Sequence, residues 1–279
     1  MTSSSVVSYL RVDDTAIIAV DNPPVNALSQ AVRSGLLDAV RQANADDAVR
    51  AMVIVCRGRS FIAGADITEF DRPPQPPHLP AVTQAIEDAV KPIVAALHGT
   101  ALGGGFEIAL ACHYRIATPD AKVGLPEVKL GVMPGAGGTQ RLPRLVGMGH
   151  ALEMIVNGDA ISAPKALEWG AIDEIAPDDL EAAALAAARR VIAAAGPRRT
   201  GALPVASTEP AVYIEAEKMA ARKQRHLIAP RTCIEALRAA ASLPLAEGLK
   251  RDRELFLELR ASPQAAALRH AFLGEREVG

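Results

Sequence analysis

The sequence predicts an α/β fold: a parallel sheet covered on both faces, followed by a helical C-terminal region. Three observations carry this. Compact apolar runs of strand length stand at residues 15–20 (TAIIAV), 51–56 (AMVIVC) and 92–97 (PIVAAL). A stretch of helical periodicity separates the first two. From about Asp178 onward the chain turns almost wholly helical.

The elements follow in order. Residues 29–45 (SQAVRSGLLDAVRQANA) read as a helix with Ser29 as its N-cap. Strand, helix, strand in that order is a βαβ unit, right-handed by rule. Near-continuous apolar strands belong to sheets buried on both sides. The five prolines within residues 71–80 (DRPPQPPHLP) exclude a regular helix or central strand there. That stretch reads first as a mobile surface loop, and second as a lip over a substrate site. Residues 181–195 (EAAALAAARRVIAAA) form an Ala-rich helix that stops at Gly196-Pro197. A long amphipathic segment ends near Ala241 and is interrupted at Pro230. Residues 246–260 place Leu249, Leu255, Phe256 and Leu259 along one side of a helix, and a last helix spans Pro263–Phe272. The composition shift divides the chain into a core over residues 1–195 and a helical region over 196–279.

Composition narrows the function. The chain has 279 residues, 49% of them hydrophobic, which suffices for a large core. A net charge of −2 gives no basic excess for a nucleic-acid backbone, and 3% aromatics gives no base-stacking platform. No run of eighteen apolar residues suggests a membrane span, and the N-terminus has no secretory pattern. Cys56, Cys112 and Cys233 are widely spaced in apolar surroundings and read as reduced, buried thiols. The expected location is the cytoplasm.

Three Gly-rich stretches stand out: 61–70 (FIAGADITEF), 98–118 (HGTALGGGFEIALACHYRIAT) and 124–147 (GLPEVKLGVMPGAGGTQRLPRLVG). Glycine lets a backbone approach a ligand or adopt positive φ. In the second stretch a strand runs through Gly103-Gly104-Gly105 into a helix, and the junction aims free amides at one spot. Glu107 lies in the first turn of that helix, among apolar neighbours, where a buried carboxylate is costly without a use. Glu127, in a Gly-Leu-Pro-Glu turn, read alone is a surface or capping acid; paired with Glu107 it gives two carboxylates for acid–base work on water. Competing motifs fail. Residues 135–140 (GAGGTQ) miss the last glycine of a dinucleotide fingerprint, and neither a phosphate-binding loop nor a serine-hydrolase elbow occurs. Cys112-His113, read as helical neighbours, diverge and make no metal site, and His98 reads as structural.

Together F-x-A-G-A-D-I at 61–67, G-G-G-F-E at 103–107 and L-P-E-V-K-L-G-V-M-P-G-A-G-G-T-Q-R-L at 125–142 resemble the enoyl-CoA hydratase/isomerase (crotonase) superfamily, over residues 8–195. The resemblance implies a crotonase-type spiral of ββα turns and assembly as homotrimers or hexamers. It implies that the Ala65 and Gly104 amides form an oxyanion hole, that Glu107 and Glu127 are the catalytic acids, and that the Gly135 amide fixes the water. Ala63, Asp66 and Ile67 match the region bordering the CoA adenine, while Thr68 departs from a family Lys near the CoA phosphates. The implied reaction is hydration of 2-trans-enoyl-CoA, with Δ3–Δ2 enoyl-CoA isomerisation as the alternative and a non-enzymatic scaffold as a distant one. It uses no metal and no cofactor, since CoA enters with the substrate; no nucleic acid or membrane partner is implied. The tail is similar to the connector of multifunctional fatty-acid oxidation enzymes, where a dehydrogenase follows. The sequence ends at Gly279 before any NAD fingerprint, so it reads as a fragment of such an enzyme, there monomeric, or as a stand-alone relative.

Overall fold

A computed structural model describes residues 5–69, 72–176, 178–194, 196–206 and 208–278. Its elements begin with β1 (Val7–Val12), β2 (Thr15–Val20), α1 (Gln30–Ala45), β3 (Ala51–Cys56), α2 (Leu79–Glu87), β4 (Ile93–Leu97) and β5 (Thr100–Leu102). They continue with α3 (Gly104–Ala111), β6 (Tyr114–Ala117), β7 (Lys122–Gly124), α4 (Gly138–Asn157), β8 (Ile161–Ser162), α5 (Ala163–Trp169) and β9 (Glu174–Ile175). The helices α6 (Leu180–Ile192), α7 (Pro210–Lys223), α8 (Ala229–Ser242), α9 (Leu245–Arg260) and α10 (Pro263–Val278) complete the chain.

The chain forms two compact units, one of residues 1–123 and 162–200, the other of residues 124–161 and 201–279. The sequence division at 195 and 196 follows composition instead. Packing groups Gly124–Ile161 with the C-terminal helices, because α4 buries its apolar residues among α7, α8 and α9.

The first unit is built on a six-stranded sheet in the order β1-β2-β3-β4-β6-β9. Only β1 runs antiparallel to its neighbour. The expected β2–α1–β3 unit is present, with Ser29 capping α1 through the Val32 amide. Ile17, Val53, Val94 and Tyr114 stand in register across four strands. Side chains alternate along a strand, so this row shares one face. Ala184, Ala187 and Ala188 of α6, capped by Asp179, seal that face, and their small size lets the helix backbone come close. Ile18, Ile54, Ala95 and Arg115 form the adjacent row on the other face. On that side α1 approaches so closely that a β-carbon at Gly35 would lie 2.6 Å from the Val7 β-carbon. Both faces are buried, as near-continuous apolar strands require. The strands β5, β7 and β8 form a second, smaller sheet in that order.

In the second unit α4 packs on α7, α8 and α9, and its run breaks at Gly147, whose backbone (φ 77°, ψ 164°) is non-helical. The amphipathic segment divides at Pro230, which sits in the first turn of α8. The last helix extends beyond the expected Phe272 to Val278. No helix among the described residues is long and apolar enough to cross a membrane.

Candidate active site

In the first unit, residues 61–65 run along the backbone of 98–105. Phe61 N–H donates to the His98 carbonyl (2.8 Å) and Leu102 N–H to the Ile62 carbonyl (3.0 Å). On its other side Ala63 N–H donates to Val25 (3.2 Å), and Leu28 N–H donates to the Gly64 carbonyl (2.9 Å). Because a trans peptide aims its C=O and N–H in opposite directions, the Ala65 N–H points away from Leu28. Gly64 adopts φ +125°, a conformation that side chains disfavour.

The Gly103 N-cap (φ 54°, ψ −129°) turns the chain into α3. The first intrahelical bond runs from Glu107 N–H to the Gly103 carbonyl (2.9 Å), so the amides of residues 104–106 have no acceptor within the helix. A β-carbon at Gly105 would lie 2.2 Å from the Ile62 carbonyl oxygen, so glycine is what lets this helix start against the 61–65 segment. Leu28 ties the two pieces together: its backbone bridges Ala65, while its Cδ1 would lie 2.8 Å from a β-carbon at Gly104. The structure thus brings Ala63, Ala65, Asp66, Gly104 and Glu107 into one neighbourhood. Sequence reading missed the wall made by Leu28 and Leu79, whose apolar side chains carry no signal of a site.

Glu107 is 2% exposed, and all of α3 is buried, as its apolar neighbours predicted. The C-terminal end of α3 is held by Arg115. This fully buried guanidinium donates to the carbonyls of Cys112 (2.7 Å) and Ala109 (3.3 Å) and pairs with Asp173 at 2.9 Å. A cation there answers the orphan carbonyls and the negative helix end. Cys112 is the C-cap and His113 lies beyond the helix, so the two are not helical neighbours as expected. His113 Nδ1 accepts from the Ile93 N–H (2.9 Å), which leaves Nε2–H to donate to the Glu87 carbonyl (3.1 Å). Burial holds its pKa down to about 4, so the ring is neutral. His98 is structural, bonding through Nε2 to the Gly58 carbonyl (3.0 Å).

Asp66 Oδ1 accepts from both the amide (2.9 Å) and the hydroxyl (2.8 Å) of Thr68, so the departing Thr68 serves a turn. Ile67 opens the short 3₁₀ helix Ile67–Glu69. The Pro-rich stretch, whose Asp71 lies outside the described residues, is an exposed loop up to the start of α2, and its backbone is held at two carbonyls. Arg33 donates to the carbonyls of Gln75 (3.0 Å) and Pro77 (2.8 Å) and pairs with Glu69 at 2.9 Å. Glu69 in turn caps α1 by accepting from Gln30 N–H (2.6 Å). A lone Arg in a helical pattern gives no sequence signal that it will clamp a loop forty residues away. Gln30, Glu69, Arg72, Pro73 and Gln75 line a cavity of about 400 Å³.

In the second unit, Pro126 leads into a 3₁₀ helix, Glu127–Leu130, which Gly131 ends in the left-handed region (φ 73°). Glu127 is half-buried and its carbonyl accepts from Val132 N–H (3.2 Å). A β-carbon at Gly135 would lie 2.6 Å from the Phe256 ring. Cys233 is buried beside Glu127 and Asp252; burial first, then those two charges, push its thiol up. All three cysteines are free and buried, as expected. Among the described residues no group of three or more His, Cys, Asp or Glu is arranged to hold a metal ion.

Peroxisomal bifunctional enzyme of Danio rerio is 44% identical to this chain over 264 residues, covering 94% of it and 37% of the relative. The human protein of that name is 40% identical, covering 98% and 38%. The chain therefore spans under two-fifths of the length of these curated relatives. Among solved structures, carnitinyl-CoA hydratase from Mycobacterium avium superposes with TM-score 0.73 at 31% identity, covering 98% of this chain and 97% of that one. The family described as Enoyl-CoA hydratase/isomerase matches residues 13–226, and the chain belongs to it, with the crotonase fold its sheet and helical C-terminal region express.

Proposed function

We propose that this chain is an enoyl-CoA hydratase, a hydro-lyase converting 2-trans-enoyl-CoA to 3-hydroxyacyl-CoA in fatty-acid β-oxidation. One observation carries the reading: the 61–65 segment and the first turn of α3 lie against each other, with Ala65 N–H turned outward, the amides of 104–106 free of intrahelical acceptors, and Glu107 in the same turn.

The Ala65 and Gly104 amides receive the thioester oxygen as water bonds to C3 and the double-bond electrons move onto the carbonyl. One such donor is typically worth on the order of 10²–10³ in rate. Glu127 gives C2 its proton, Glu107 and Glu127 orient and deprotonate the water, and the Gly135 amide fixes it. A hydroxyl is added to C3 and a proton to C2, together one water, with no net oxidation or reduction, so the reaction needs no cofactor. Ala63, Asp66 and Ile67 border the CoA adenine. Isomerisation of 3-enoyl-CoA would use the same enolate-binding amides and stands as the alternative reading. Assembly follows the resemblance: a homotrimer or hexamer, or a part of a monomeric multifunctional protein. Buried free thiols suit a reducing compartment, the cytoplasm in our reading, although those relatives are named peroxisomal.

The test is hydration of crotonyl-CoA, followed by loss of the enoyl thioester absorbance. Glu127→Gln should lower kcat by ~10³ or more while still binding the CoA ester. An inactive parent chain, or a near-parental rate in that variant, refutes the assignment.

A further inference from the structure

The third Gly-rich stretch reads as backbone that approaches a ligand or adopts positive φ. Gly131 and Gly137 do adopt positive φ, and Gly131, Gly135 and Gly137 face the C-terminal helices. A β-carbon at Gly131 would lie 2.9 Å from Ala265 and Leu268 of α10; one at Gly135, 2.6 Å from the Phe256 ring; one at Gly137, 2.7 Å from Leu249. The fit is reciprocal: a β-carbon at Gly248 of α9 would lie 2.3 Å from the Gln140 Oε1. Gly248, Asp252 and Phe256 recur every four residues and so form one stripe along α9. That stripe lies along the stretch carrying Gly135, Thr139 and Gln140.

Asp252 sits in the middle of the stripe and is 1% exposed. The Thr139 hydroxyl donates to its carboxylate. Gln140 Nε2 donates to Thr139 Oγ1 (2.9 Å) and to the Ala236 carbonyl of α8 (3.0 Å). A relay of buried polar groups thus joins α8, the start of α4 and α9. An ionisable acid buried there is an expensive way to hold helices together, since an apolar side chain of similar size packs as well or better. Buried polar networks repay that cost by fixing one arrangement. Phe256 packs beside it, its ring standing where a β-carbon at Gly135 would be.

We propose that Asp252 and Phe256 are positioning residues for the hydration reaction: through the Thr139 hydroxyl and the Gly135 backbone, α9 holds the 127–140 segment in the conformation that presents Glu127 and the Gly135 amide. The helical tail is then part of the machinery of this chain rather than only a connector. The inference rests on the hydratase reading of Glu127 and Gly135.

The test uses the full chain and two readouts. In crotonyl-CoA hydration, Thr139→Val and Asp252→Asn should each lower kcat tenfold or more with KM within about twofold, whereas Thr139→Ser, which keeps the hydroxyl, should stay within about twofold of the parent. Phe256→Leu, which keeps an apolar side chain, should show the same kcat-weighted loss if Asp252→Asn fails to fold. In hydrogen exchange read by mass spectrometry, Thr139→Val should raise exchange over residues 127–137 at least severalfold and leave the strands of the first unit unchanged. Parental kcat in Thr139→Val and Asp252→Asn, loss in Thr139→Ser equal to that in Thr139→Val, or unchanged exchange over 127–137 overturns the positioning role. An inactive parent chain refutes the hydratase reading instead, and the exchange measurement still decides whether α9 orders the segment.

Discussion

Lowering the pH from 7 to 5 should destabilise the first unit through a single side chain, His113. The ring is 2% exposed and is held as one neutral tautomer, Nδ1 accepting from Ile93 N–H and Nε2–H donating to the Glu87 carbonyl. A proton on Nδ1 would confront the Ile93 N–H with a second donor. Burial, partly offset by the Glu87 carbonyl and charge, lowers the pKa from 6.5 to about 4. The folded chain therefore binds fewer protons than the unfolded chain between those values, so stability rises with pH. The contribution is fully present above pH 6.5 and is lost progressively as pH falls toward 4. At about 1.4 kcal/mol per pKa unit, the loss between pH 7 and pH 5 is about 2 kcal/mol. Urea unfolding followed by the fluorescence of Trp169, the one tryptophan and a residue of the same unit, measures it. His113→Asn places an amide oxygen where Nδ1 accepts and removes the titration. It should be less stable at pH 7, yet its pH dependence between 7 and 5 should be smaller than the parent's by about 2 kcal/mol. An equal dependence in both proteins would refute the reasoning.

Two further expectations follow from buried charge and buried sulfur. Asp173→Asn should destabilise the first unit by roughly 3–5 kcal/mol, because it leaves the fully buried Arg115 guanidinium without its carboxylate and frees Arg198, bonded to the same group; a loss under about 1 kcal/mol, read with the Trp169 probe, would show that the pair is not what holds the cation. The thiols of Cys56, Cys112 and Cys233 should resist an aromatic disulfide reagent at pH 8 in the native protein and react only after unfolding, since burial raises all three, Cys112 to about 12. Rapid modification of any one in the folded chain would contradict that burial.

The sequence alone determined the parallel sheet, because strands buried on two faces must be almost wholly apolar, and TAIIAV, AMVIVC and IVAAL hold one polar residue between them, Thr15 at the start of β2. It determined the start of α1, because Ser29 accepts from the amide three residues on, a purely local interaction. It also marked the turn at Gly103-Gly104-Gly105 and the acid behind it. Tertiary structure decided the rest. Residues 124–161 join the C-terminal helices because helical faces pair by shape, which no local pattern encodes. Arg33 clamps the Pro-rich loop through carbonyls more than forty residues distant in sequence. The glycines of the third stretch admit Phe256 and Leu249, whereas Gly105 admits the Ile62 carbonyl. A missing side chain reads the same in sequence whether a ligand, a ring or another backbone fills the space, and only the packed chain says which.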